Sequence, residues 1–187
     1  MRKQRDIMIG AFEWARKAYE EGTIFTAFDL ETSGLYPNLD QIVEIGAIKF
    51  DNKGVIARFS TLINPGISMP AAAERVNHIS DEMLRGKPSL DEILPDFIGF
   101  IGDTVLMAHN APFDCGFLKE KIKEQLQNPV IDTLVLSREC FPGLKSYSLQ
   151  NLALNFMFPA LDAHRAEDDA RLCMEIFLQC VSDLDSQ

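Results

Sequence analysis

Apolar positions first recur at helical spacing, with Met8, Ala11, Phe12, Ala15, Ala18 and Tyr19 in step, Trp14 beside them and Gly22 at the stop. This pattern predicts an amphipathic N-terminal extension over residues 1–22, whose stripe packs on the domain or docks a partner; packing is the expected role. The period then shortens. Residues 23–30, 42–50 and 55–63 read as strands, and Asp51-Asn52-Lys53-Gly54 carries the turn chemistry of a hairpin between the last two. After Asn64-Pro65-Gly66 the pattern becomes helical, with Pro70 near one start, Ser80 as a cap, and Ser89 with Glu92 as a capping box. Pro95 is expected to interrupt that last segment.

Further on, 104–108 is a short apolar strand, 109–112 a loop, 113–125 a helix, and 130–136 again strand-like. Ser146 or Ser148 caps a helix reaching Phe156, and 166–181 forms the final helix, with Ala170, Cys173, Met174 and Phe177 on its apolar side. A meander followed by alternating strands and helices predicts an α/β fold: a mixed sheet with helices on its faces. The length of 187 residues, with 47% hydrophobic and 25% charged positions, suits one globular domain over 23–183 and excludes disordered or fibrous classes.

No run approaches the roughly 18 apolar residues of a membrane span. The N-terminal basic cluster (Arg2, Lys3, Arg5) is followed too soon by Glu13, Arg16 and Lys17 to read as a cleaved signal. Cys115, Cys140, Cys173 and Cys180 form no CxxC pair, so a cytoplasmic location is expected. With 18 basic and 28 acidic residues the net charge is −10, and a polyanionic substrate would need metal cations or a local basic rim. Arg138, Lys145 and Arg165 are candidates for that rim, although such residues are usually plain surface charges.

The candidate chemistry lies in three places. The first strand ends in Asp29-Leu30-Glu31, and alternation along a strand puts both acids on one face, where they repel unless a cation joins them. Hard ions such as Mg²⁺ or Mn²⁺ prefer such oxygen donors, although a lone DxE is usually two solvated acids. His109-Asn110-Ala111-Pro112-Phe113-Asp114 lies on a strand-to-helix loop, the favoured place for active-site residues; Asp114 also reads as a first-turn acid and His109 with Asn110 as a cap. In His164-Arg165-Ala166-Glu167-Asp168-Asp169, Glu167 and Asp168 read as acids favoured by a helix start. Asp169 borders the apolar face and requires a partner there. Four acids and a histidine are the parts of a two-metal phosphodiester hydrolase.

The segments FDLETSGL, HNAPFDCGFL and HRAEDDA, in this order, resemble the three exonuclease motifs of the DEDD superfamily. Histidine, four residues and then aspartate (His164 to Asp169) is similar to the histidine subtype, and the branch it most resembles contains the proofreading epsilon subunits of bacterial replicative polymerases. The similarity runs from about Thr23 to Leu178. It implies a ribonuclease H-like fold with a five-stranded mixed sheet, two divalent ions (Mg²⁺ or Mn²⁺) held by Asp29, Glu31, Asp114 and Asp169, and His164 as general base. Thr32, Gly34, Leu35, Asn110 and Phe113 are implied as contacts of the terminal nucleotide. The implied reaction removes nucleoside 5′-monophosphates from DNA 3′ ends, with a DNA polymerase as a partner. RNA trimming and a catalytically silent binding module are the alternatives. One departure is visible: relatives carry histidine then glycine before isoleucine, where this chain has Asn77-His78-Ile79.

Overall fold

A computed structural model describes residues 12–122, 126–159 and 164–182. Three antiparallel strands, β1 (Phe25–Thr32), β2 (Ile42–Asp51) and β3 (Gly54–Leu62), are followed by β4 (Val105–Ala108) and β5 (Val130–Asp132), each parallel to its inner neighbour. The sheet order is β3-β2-β1-β4-β5. The hairpin between β2 and β3 closes at Asp51 and Gly54, where the Lys53 amide donates to Asp51 Oδ1 at 2.7 Å. Its residues are those the turn chemistry selects.

Eight helices occur among the described residues: α1 (Phe12–Glu20), α2 (Ala71–Asn77), α3 (Asp81–Leu84), α4 (Leu90–Ile101), α5 (Ala111–Lys121), α6 (Thr133–Cys140), α7 (Leu149–Asn155) and α8 (Ala166–Ser182). Alternation along β1 divides the core. Phe25 and Ala27 enter a cluster with Phe50, Phe177 and Cys173, whereas Phe28 and Leu30 enter the opposite one with Phe97, Phe117 and Leu118. Phe177 of α8 meets Phe25 at 5.1 Å and Phe50 at 6.0 Å between ring centroids. Asp29 and Glu31, in step with Phe25 and Ala27, therefore lie toward α8. Gly46 of β2 lets that helix settle: a β-carbon there would stand 2.1 Å from backbone atoms of Ala166 and Glu167.

The N-terminal helix packs on the domain, as expected. Ala15 and Ala18 are buried in the α8-side core, and Tyr19 meets Phe177 edge-on at 5.8 Å. Residues 1–11, on which Met8 and Ala11 fall, lie outside the described residues.

Three sequence expectations need correction. The strand-like run 130–136 is strand only to Asp132, whose carboxylate accepts from Leu134 N at 2.9 Å and so starts α6. Pro95 does not break α4: it lies exposed on the outer side, where water can satisfy the carbonyl left without its amide partner. The helix assigned to 113–125 begins earlier, at Ala111, with Pro112 in its first turn where a missing N–H costs nothing. The Ser89/Glu92 capping box and the Ser80 cap form as expected.

Candidate active site

The acids meet where the C-terminal end of β1 faces the starts of α5 and α8, the usual place for a site in an α/β sheet. Single carboxylate oxygens of Asp29, Glu31 and Asp169 lie within 4.8 Å of one another. Asp114, in the first turn of α5, joins them from the other side: it is buried, and its Oδ1 accepts from the Leu30 amide, between Asp29 and Glu31, at 3.1 Å. Asp169 is braced by Gln150 of α7, whose Nε2 donates to Oδ1 at 2.8 Å, and by the His164 backbone amide.

The electrostatics are those of like charges forced together. Burial, then the charges of Asp114, Asp169, Glu31 and Glu44, hold the Asp29 carboxyl well above the ordinary carboxylate range. Burial pushes Glu31 up to about 8, with Asp169, Glu44 and Asp114 acting the same way against a hydrogen bond from Asn77. Asp114 also rises to about 8 by burial, opposed by the Leu30 amide. Asp169 rises to about 6, held back by Gln150 and by the charge of His164. The charges acting on Asp29 are all carboxylates. Such an oxygen-rich, repulsive set fits hard divalent cations, which would remove the repulsion and favour the ionised acids.

His164 stands at the mouth of α8 with a positive φ of 63° and a half-buried side chain. Among the implied substrate contacts, Leu35 is exposed, Gly34 packs against the Asp40 carboxylate, and the Thr32 hydroxyl donates within the loop to Gly34 O at 2.6 Å. Asn110 caps α5 in the left-handed region (φ 69°), and Phe113 is half-buried against Phe117, 5.2 Å away. His78, exposed, also takes a left-handed conformation at the end of α2 (φ 57°).

Three residues weighed in the sequence turn out to be held in structural contacts. His109 is half-buried; its Nε2 donates to the Tyr147 carbonyl at 2.8 Å, so Nδ1 accepts from the Thr133 hydroxyl at 3.0 Å, and partial burial lowers its pKa. Arg165 is not a loose rim charge. Its guanidinium clamps buried Glu44, with the closest contact at 2.6 Å, and the Ala166 amide adds a bond at 3.1 Å to the same carboxylate. Asp168 lies in the first turn of α8, as expected of a helix-start acid, and is also buried, 2.7 Å from the Arg171 guanidinium. Glu44, Asn77 and Gln150 were missed. Glu44 left a signal as a lone acid within the apolar run Ile42-Val43-Glu44-Ile45, and Asn77 only as part of the departure at Asn77-His78-Ile79.

A five-stranded mixed sheet with acids gathered at the end of its central strand defines a ribonuclease H-like nuclease. The chain belongs to the exonuclease family, whose model matches residues 26–177, and whose members are metal-dependent and act in the 3′–5′ direction. It is 49% identical over 177 residues to DNA polymerase III subunit epsilon of Treponema pallidum (strain Nichols), covering 91% of this chain and 82% of that one. It is 40% identical over 163 residues to a PolC-type DNA polymerase III of Caldanaerobacter subterraneus, covering 86% of this chain but 12% of that far longer relative. Among solved structures, exonuclease X in complex with 5′ overhanging duplex DNA superposes with a TM-score of 0.69 at 25% identity, over 87% of this chain and 93% of that one.

Proposed function

We propose that the chain removes nucleotides one at a time from DNA 3′ ends, releasing nucleoside 5′-monophosphates, as a proofreading exonuclease associated with a DNA polymerase. The observation that carries this reading is the convergence of Asp29, Glu31 and Asp169 within 4.8 Å, with buried Asp114 alongside. Their combined repulsion suits a pair of Mg²⁺ or Mn²⁺ ions held by these four carboxylates. Bound there, such ions would screen the phosphodiester's charge, activate water and stabilise the departing 3′ oxygen. DNA as the substrate is supported by the relatives named as polymerase III epsilon and by the DNA bound to exonuclease X.

Each residue then has a distinct task. His164, half-buried at the mouth of α8 and near enough to Asp169 for its charge to act on that acid, takes the proton of the attacking water on its imidazole. Gln150 and the His164 amide hold Asp169 in orientation, and the Leu30 amide holds Asp114. Exposed Leu35 offers an apolar face to the terminal base, on a loop kept in shape by Asp40, whose Oδ2 accepts from Tyr36 N at 2.8 Å.

The test uses 5′-labelled single-stranded DNA and a matched RNA, each with Mg²⁺ or Mn²⁺. Ladders shortening from the 3′ end and mononucleotide release are expected on DNA, and Asp29→Ala is expected to abolish both while leaving the circular dichroism spectrum intact. Undiminished cleavage by Asp29→Ala would discard the site. Faster RNA cleavage would move the substrate to RNA, and no turnover at any metal concentration would mark a silent module.

A further inference from the structure

The departure at Asn77-His78-Ile79 leads to an unassigned role. Asn77 is the last residue of α2 and is 2% exposed. Its Oδ1 accepts from the Ile79 amide at 3.1 Å, and its Nδ2 donates to the Thr32 carbonyl at 3.3 Å. The amide also stands beside the Glu31 carboxylate, where it opposes the rise in that acid's pKa. A primary amide has two N–H groups and one carbonyl, so the bonds at its oxygen and its nitrogen fix its plane and leave one N–H for a neighbouring acceptor. At the same place β1 loses register with β2: Glu31 lies opposite Glu44, whereas Thr32 lies opposite Ile42. Asn77 thus takes up the carbonyl just beyond the irregularity and the acid just before it.

We propose that Asn77 is the positioning residue of Glu31, aiming its carboxylate toward Asp29 and Asp169. The inference rests on the reading of these acids as a metal site and deepens it. The residue type suits the task. An arginine or lysine would neutralise Glu31 and compete with a cation, and an acid would repel it. A neutral amide donates to the carboxylate and leaves its remaining lone pairs for metal. The left-handed turn at His78 and the bond from Ile79 anchor the amide on backbone instead of on a mobile side chain.

The experiment is a double-mutant cycle on Mn²⁺ binding to the full chain, followed by water-proton relaxation, which reads millimolar sites. Asn77→Ala is expected to weaken Mn²⁺ binding about 10–100-fold, the usual effect of losing a residue that orients a ligand. On a Glu31→Gln background the same substitution is expected to cause no further loss, because the group it orients no longer ligates as a carboxylate. Unchanged affinity of Asn77→Ala, or an equal loss on both backgrounds, would overturn the assignment. If the alanine variant does not fold, Asn77→Ser, which keeps a short hydrogen-bonding group, is read by the same two outcomes. DNA cleavage by the unsubstituted chain is scored separately, so failure of the proposed reaction and failure of the positioning role are seen apart.

Discussion

Replacing Arg165 by alanine tests how the start of α8 is held against the sheet. The Glu44 carboxylate is 1% exposed and accepts from Arg165 Nε at 3.2 and 3.1 Å, from Arg165 Nη2 at 2.6 Å and from Ala166 N at 3.1 Å. Without the guanidinium, a buried acid opposite Glu31 would keep only the Ala166 amide among these donors. Removing one partner of a buried pair costs about 3–5 kcal/mol. The Arg165 side chain is itself 31% exposed, so water would replace part of the lost interaction and the expected cost falls below that range, to about 2–3 kcal/mol. For a chain of this size that corresponds to a fall in Tm of roughly 4–12 °C. Urea unfolding of metal-free protein at neutral pH measures it, with Arg165→Lys, which retains charge but not the fork, expected between alanine and the unsubstituted chain. An alanine variant with an unchanged urea midpoint would mean the contact is no more than a screened surface pair.

Two further outcomes follow from the site. His164→Ala should lower kcat about 10²–10⁴-fold while Mn²⁺ binding stays close to that of the unsubstituted chain, since the acids are untouched; equal loss of metal affinity in His164→Ala and Asp29→Ala would contradict the division of roles. Without metal, stability should fall as pH rises from 6.5 to 8.5. The folded state keeps protons on Glu31 and Asp114 up to about 8, whereas the unfolded chain releases them near 4.5 and 3.8, so the folded state binds more protons across this window and loses its advantage as they leave. Thermal melts should show the slope without metal and lose it in Mn²⁺; a metal-free Tm that climbs with pH would refute the raised carboxyls.

Local signals were readable from the sequence, and contacts between distant segments were not. The turn at Asp51 to Gly54, the Ser89/Glu92 box and the shared face of Asp29 and Glu31 all follow from chemistry within a few residues. The motif resemblance added the expectation that Asp114 and Asp169 join that face. Residues 130–136 misled because Ile131, Leu134, Val135 and Leu136 look strand-like until the Asp132 side chain turns back to cap a helix. Arg165 read as a rim charge because Glu44, 121 positions earlier, becomes its neighbour only when α8 lies on β2. Asn77 gave no functional signal for the same reason: its partner Thr32 is 45 positions away.

The seat at Gly46 bears on how this nuclease can change by mutation. Two of the clustered acids ride on a strand and the third on a helix, and the gap between strand and helix is set by a side chain that is missing. A single added methyl at position 46 would act as a shim under α8, lifting Asp169 away from Asp29 and Glu31 without altering any of the three. Inactivation at that position would look like the loss of one of the acids although every acid is still in the chain.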